Sequence, residues 1–367
     1  MRECDKDRRI LLLSQSGDCE GLDAALKEIL DVDQASVIGD ILHQKTGDGL
    51  IHVAARGGHV SCIQLLLDRG VGVDQRNLEF KTPLHEAAQF GHCEAVKLLL
   101  GAGAQVDSLK RADWTPIMLA ATKQGNIESV RTLLEAGADP RVVNKDGWTP
   151  LHLAVRTGDM GMMDLLMEAS PETLGMVSNN GRSVLHTASL AGHEAMVKRL
   201  LETSSDAIVN SQDSCGNTAL MDAARAGHLA CVKLLASIPG TDLSTEDRMG
   251  RTVVEVAAQA GACEVLKFLR LELGVDVTSG LSLHAAAREG QAEAVRLLVT
   301  WGAEVDREDS RGRTSLFLSV SGQHAEAARS LLEAGARLDR KDQEGNCILE
   351  LARKPDLLDL MAEFSSQ

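Results

Sequence analysis

The chain has 367 residues, with 53 acidic against 38 basic side chains and a net charge of −15. That balance excludes broad binding along a phosphate backbone, which needs clustered Lys and Arg; acid excess instead keeps a long exposed surface soluble. No apolar run approaches the roughly 20 residues of a membrane-spanning helix, and the eight cysteines form neither C-x-x-C nor a zinc-type spacing with histidine.

The opening "MRECDKDRRI" is charged and lacks the apolar stretch and small-residue cleavage site of a secretory signal. An intracellular protein is expected, in the cytoplasm and the nucleus beside it, with reduced thiols. Helical hydrophobic spacing in "RRILLLSQSGDCEGLDAALKEIL" (Arg8–Leu30) predicts an N-terminal helical cap over residues 1–45. From residue 46 the chain repeats itself. "KTPLHEAAQFGH" (Lys81–His92), "KDGWTPLHLAVRTGD" (Lys145–Asp159), "RSVLHTASLAGH" (Arg182–His193) and "NTALMDAARAGH" (Asn217–His228) share one skeleton. Degraded copies follow at Ser282–Gln291 and Thr314–His324. The equivalent hydroxyl positions are Thr82, Thr115, Thr149, Ser183, Thr218, Thr252, Ser282 and Thr314, a period near 33. Residues 346–367, with "NCILELARKPDLLDLMAEF", read as a C-terminal capping helix.

Each copy has a physical reading. Thr149 is a natural helix N-cap, Pro150 loses no donor at the first helical position, and Gly158 suits a left-handed C-cap. Met163, Leu165 and Leu166 form the core stripe of a second helix, and "SNNG" (Ser178–Gly181) is turn chemistry. Cys62, Cys93 and Cys231 fall on second helices, where a small thiol packs well. His52, His85, His152, His186 and His284 occupy one repeat position, one turn after the cap, and five equivalent histidines do not make five active sites. His59, His92, His193 and His228 likewise mark the start of second helices.

The pattern T-P-L-H-x-A-A, then G-H, V-x-x-L-L and G-A, at this period resembles the ankyrin repeat family. The resemblance implies an all-α solenoid of about nine helix-turn-helix repeats over residues 46–345, with turn or hairpin tips and helical caps, stacked right-handedly. Such stacks bind partners through tips and first helices.

Catalytic motifs are missing: no phosphate loop, no G-x-S-x-G and no H-E-x-x-H. "HEAAQ" (His85–Gln89) has a glutamine where a zinc site needs its second histidine, and "GAGAQV" (Gly101–Val106) follows a helix and lacks a third glycine. The expectation is a non-enzymatic, monomeric binding protein without cofactor or metal and without direct contact to nucleic acid or membrane. The tips are the informative surface. Lys110, Arg111, Asp113 and Trp114 lie on one, Arg141, Lys145, Asp146 and Trp148 on the next, and "RKDQEG" (Arg340–Gly345) is a third basic tip. Basic and aromatic pairs are common binding anchors, and tip tryptophans also pack on hairpin stems.

"LKRADWTPIMLA" (Leu109–Ala120), "DSCGNTALMDAARAGH" (Asp213–His228) and "FLRLELGVDV" (Phe268–Val277) depart from the ankyrin consensus. In that order they resemble a family of ankyrin-repeat co-regulators of alanyl-tRNA synthetase. The resemblance implies binding to the synthetase catalytic domain and capture of misactivated serine on lysine side chains. Lys145 matches the family motif directly, in "NKDGW"; Lys110 and Arg111 stand where relatives carry two lysines, and Ser170–Arg182 holds no lysine where relatives have one. Arg111 and Arg141 are the sequence neighbours expected to ease loss of the lysine proton. The other reading is a generic scaffold or adaptor, for example one that recruits clients to a ubiquitin ligase.

Overall fold

Most repeats begin with a threonine that ends an extended stretch of backbone and opens a helix. Thr82 (φ −98°, ψ 166°) and Thr149 (φ −84°, ψ 165°) precede Pro83–Gln89 and Pro150–Thr157. The His152 N–H donates to Thr149 Oγ1 at 3.3 Å, while the Thr149 hydroxyl lies 2.9 Å from His152 Nδ1 and its N–H points at the same atom. Thr82 and His85 repeat this closed box, with Nδ1 accepting at 3.1 and 2.9 Å. Both orphan donors at the helix start are thereby satisfied. The other ring nitrogen reaches the following repeat. Nε2 of His52, His85 and His152 meets the carbonyls of Lys81, Trp114 and Arg182 at 2.9, 3.1 and 3.2 Å. Since Nδ1 accepts, Nε2–H donates.

The computed structural model describes residues 3–28, 38–203 and 209–365. Contacts divide it into two units, Met1–Val184 and Leu185–Gln367. The first unit pairs Leu50–Gly57 with Val60–Asp68, Pro83–Gln89 with Cys93–Gly101, Pro116–Ala121 with Ile127–Glu135, and Pro150–Thr157 with Met160–Ala169. First helices pack on first helices and second on second. The N-terminal pair Glu3–Ser16 and Cys19–Lys27 joins the two rows in the same way. The second unit runs from Val184–Ala191 and Glu194–Thr203 through Ser315–Ser321 and Ala325–Glu333. Its last pair, Ile348–Leu351 and Pro355–Ser365, packs on those two helices. Among the described residues there is no strand beyond isolated bridges such as Lys110 with Trp114, and no helix is long and apolar enough to cross a membrane.

Two expectations need correction. Met162, Met163, Leu166 and Met167 form the buried stripe of Met160–Ala169, and Leu165 stands half outside it. The Asp159 side chain caps this helix by accepting the Met162 N–H at 3.0 Å, which sets the phase. Ser282 is the first helical residue and not the cap; Leu281 holds the cap position at φ −99°, ψ 25°, and the Ser282 hydroxyl donates to the Val277 carbonyl at 2.6 Å.

Burial pushes both His85 and His152 down to about 4 from an ordinary 6.5; the carbonyls of Trp114 and Arg182 oppose the shift only in part. A depressed histidine stays neutral in the fold while the unfolded chain takes up protons below 6.5. Stability is therefore fully present above that pH and is lost as pH falls toward 4. At roughly 1.4 kcal/mol per unit of separation, urea unfolding of the full chain should lose several kcal/mol between pH 7 and 4.5. Replacing His152 with alanine should lower stability at pH 7 by about 1 kcal/mol and flatten that slope. An unchanged slope would remove the histidines as its cause.

Candidate functional site

Two successive tips of the first unit, 110–114 and 144–148, carry most of the residues singled out by sequence, and tip 77–81 precedes them. Each closes by a bond between its ends, as in the Asn144 N–H to the Trp148 carbonyl at 3.1 Å and the Lys110 N–H to the Trp114 carbonyl at 3.0 Å. Asn144 tightens its tip further, its Oδ1 accepting from the N–H groups of Asp146 and Trp148. Each tip also joins the one before it through a single backbone bond. The N–H of Arg111 donates to Glu79, that of Lys145 to Ala112, and that of Asn179 to Asp146, all at 3.0 Å. Lys145 and Arg111 are thus structural equivalents, and Lys110 stands where other tips place a turn-forming Asn, Asp or Ser.

That substitution leaves the 110–114 tip without a side chain to brace it. Ala112 and Asp113 both sit in the left-handed region, at φ 64° and 61°, and Phe80 does so in the preceding tip at φ 59°. Gly147 holds the corresponding place in the next tip at φ 79°. Left-handed backbone is unfavourable for a residue with a Cβ, and such outliers concentrate where function is built.

The side chains differ in setting. Lys110 is partly buried, with Nζ 5.5 Å from the Trp114 ring. Burial first, and then the positive charge of Lys81, hold its pKa below the ordinary lysine value. Lys81 itself is tied to Glu86 at 3.2 Å and Gln89 at 2.9 Å. The sequence assigned the effect to Arg111, but Arg111 is exposed and lies over the Phe80 ring at 5.7 Å. Arg141 similarly turns to Asp139 at 2.9 Å, with Glu172 4.0 Å away, and so is already engaged. Lys145 and Asp146 are exposed, and among the described residues no ion pair or hydrogen bond engages the Lys145 ammonium. Asp113 is exposed as well.

Trp114 and Trp148 are half-buried and, with Val142, cover Met118, Ala121 and Leu153. Trp148 also carries the Arg156 guanidinium at 5.5 Å and tilts against the His152 ring at 5.8 Å. The tryptophans therefore serve the stem and still offer an edge to solvent. Sequence reasoning missed the apolar positions around them. Leu78 and Phe80 are exposed within one tip, and Leu109, Val143 and Val177 are exposed immediately before Lys110, Asn144 and Ser178. In the second unit the same register holds Gln212, Glu246, Glu308 and Lys341. The signal was the tip sequence "NLEFK", which places two apolar residues where turns favour polar ones. His186 lies in the second unit, is buried, and meets the Asn217 carbonyl at 3.0 Å, a structural role like that of His85 and His152.

The arrangement offers a basic and apolar row of fingers with one nucleophile of lowered basicity, Lys110, and one unengaged amine, Lys145. Among the described residues no group of three or more His, Cys, Asp or Glu side chains could hold a metal ion. A family model described as ankyrin repeats, three copies, matches residues 12–110, 117–213, 205–280 and 282–360. The chain belongs to the ankyrin repeat family, whose members are in general protein-binding scaffolds.

Glycine tolerates left-handed backbone without strain. Ala112→Gly should therefore raise the urea unfolding free energy of the chain by about 1 kcal/mol. A loss of stability would mean that the Ala112 methyl makes a contact worth more than the strain.

Proposed function

We propose that the chain binds alanyl-tRNA synthetase through the fingers of its first unit and intercepts serine that the synthetase has wrongly activated, protecting alanine tRNA from mischarging. In this role it would resemble ankyrin repeat domain-containing protein 16. The observation that carries the reading is Lys110: a half-buried amine, held below its ordinary pKa, in a strained finger beside exposed apolar and basic side chains.

The chemistry follows from those settings. Seryl-adenylate is a mixed anhydride and needs only an unprotonated amine as acceptor. Lysine free in water, with a pKa of about 10.4, is almost wholly protonated near neutrality, and burial beside Lys81 enlarges the free-amine fraction of Lys110. The lone pair of Nζ attacks the serine carbonyl carbon, the bond to the phosphate oxygen breaks, AMP leaves, and the amine proton passes to water. The product is an amide on the lysine. Lys145, two residues before Gly147 and exposed, gains accessibility where Lys110 gains basicity control; Arg111, protonated at any working pH, serves as a charge contact. Leu109, Val143, Trp114 and Trp148 supply the apolar part of the interface, with Asp113, Asp146 and Arg141 at its rim. A generic scaffold role, such as client recruitment to a ubiquitin ligase, is the second reading, favoured by the family's general habit of protein binding.

Incubating the full chain with the synthetase, ATP and labelled serine, then mapping modified lysines by mass spectrometry, separates the two. Capture predicts adduct on Lys110 and Lys145, removed singly by Lys110→Arg and Lys145→Arg and increasing at Lys110 as pH rises. Reversing charge at Arg111 and Lys145 together should weaken association, more at low than at high salt. Binding without any lysine adduct leaves the scaffold reading; no association with the synthetase ends both parts of the proposal.

A further inference from the structure

In the second unit one finger is missing. Gly137 and His152 are fifteen residues apart, whereas Gly274 and the equivalent His284 are ten apart. The five absent residues correspond to a whole tip such as 144–148. The helices on either side still stack, Val253–Ala260 on Ser282–Arg288, so the row of tips passes directly from 247–251 to 309–313. A cleft of about 1000 Å³ lies in the gap, lined by Met249, Arg251, Leu281, His284, Arg288 and Arg311 among others. Met249 is 70% exposed and Leu281 41%. The short connection is held in place: the Arg307 side chain donates to the Ser279 carbonyl, and Thr278 binds Asp276 at 2.7 Å.

The gap leaves one link of the finger ladder open at each side. Within the second unit, on both sides of the gap, the third residue of a tip accepts from the second residue of the next, as Cys215 does from Arg248 and Arg311 from Gln343, both at 2.9 Å. By that register the Met249 carbonyl and the Ser310 N–H are the acceptor and donor of the vacant place. Among the described residues no backbone donor meets the first and no acceptor meets the second. His284 is buried at 2% exposure, donates from Nε2 to the Arg313 carbonyl at 3.1 Å, lies against the Arg307 backbone, and has its Nδ1 closed off from the cleft. Leu281, at the cap position, lacks the hydroxyl that satisfies this atom in His85 and His152. At the other wall Glu255 replaces the histidine of its repeat, so nothing there reaches forward as a donor.

We propose that this cleft is a second binding site, and that its occupant is a tight surface turn of a partner protein that enters between tips 247–251 and 309–313 as the missing finger. The turn's backbone donates to the Met249 carbonyl and accepts from the Ser310 N–H, while its flanks cover Met249 and Leu281. The mode is strand addition reduced to one link on each side. It needs no residue of the first unit and does not depend on the synthetase reading.

The test uses the full chain and a disulfide-closed peptide carrying the tip sequence Val142–Thr149 between two added cysteines. Ser310 is the second residue of its turn, where proline is well tolerated, so Ser310→Pro deletes the donor and keeps the tip. A second variant inserts Asn-Lys-Asp-Gly-Trp between Gly280 and Leu281 and fills the gap in cis. We expect the peptide to bind the unaltered chain, to shift the Ser310 amide resonance, to bind Ser310→Pro about tenfold more weakly, and not to bind the filled variant. Equal binding to all three chains, or no binding at millimolar peptide, would overturn the proposal. So would resonance shifts confined to the first unit.

Discussion

The bond from histidine Nε2–H to the carbonyl that precedes the next repeat's cap holds the architecture in register. Each short helix is too brief to be stable alone, and it gains its neighbour only if the following cap lies at a fixed height. The same imidazole closes its own cap through Nδ1, so one ring couples local helix initiation to inter-repeat spacing. Both couplings require the neutral ring with its proton on Nε2. Burial supplies that condition for His85 and His152. Where the histidine is replaced, as by Met118, Met221 or Phe317, the cap threonine alone is left to accept the backbone N–H.

Much of this was legible in the sequence because it is periodic. Thr149, Pro150, His152 and Gly158 each state a local requirement of cap, first turn or C-cap, and recurrence at one spacing turns four local statements into an architecture. Phase within a helix was less legible: Leu165 and Met162 are both apolar, and only the Asp159 cap decides which faces inward. Ser282 misled for a similar reason, since a hydroxyl one residue out of place satisfies the pattern while making a different bond. The site was readable as residue types and not as environments. Arg111 and Arg141 adjoin lysines in the chain, but their guanidinium groups lie against Phe80 and Asp139. The charge that acts on Lys110 comes from Lys81, twenty-nine positions earlier.

The two units differ in what their fingers present. Register positions that hold Leu109, Val143 and Val177 in the first hold Gln212, Glu246, Glu308 and Lys341 in the second. The fold needs none of these side chains, since tips close through backbone bonds and Asn or Asp side chains. The freedom to vary them without loss of the stack is what allows one unit to carry an apolar, basic surface and the other a cleft.

A last consequence concerns how the fingers respond to load. Within the first unit the outer end of each of tips 77–81, 110–114 and 144–148 is tied to its neighbour by one backbone hydrogen bond, worth about 1 kcal/mol, whereas the inner ends of the first two are held by His52 and His85 and the helices beneath are bound by extensive packing. The row is therefore compliant above and stiff below. A partner gripping it can lift one finger without disturbing the next. Release proceeds by peeling, one key at a time, and the force needed does not grow with the number of fingers held.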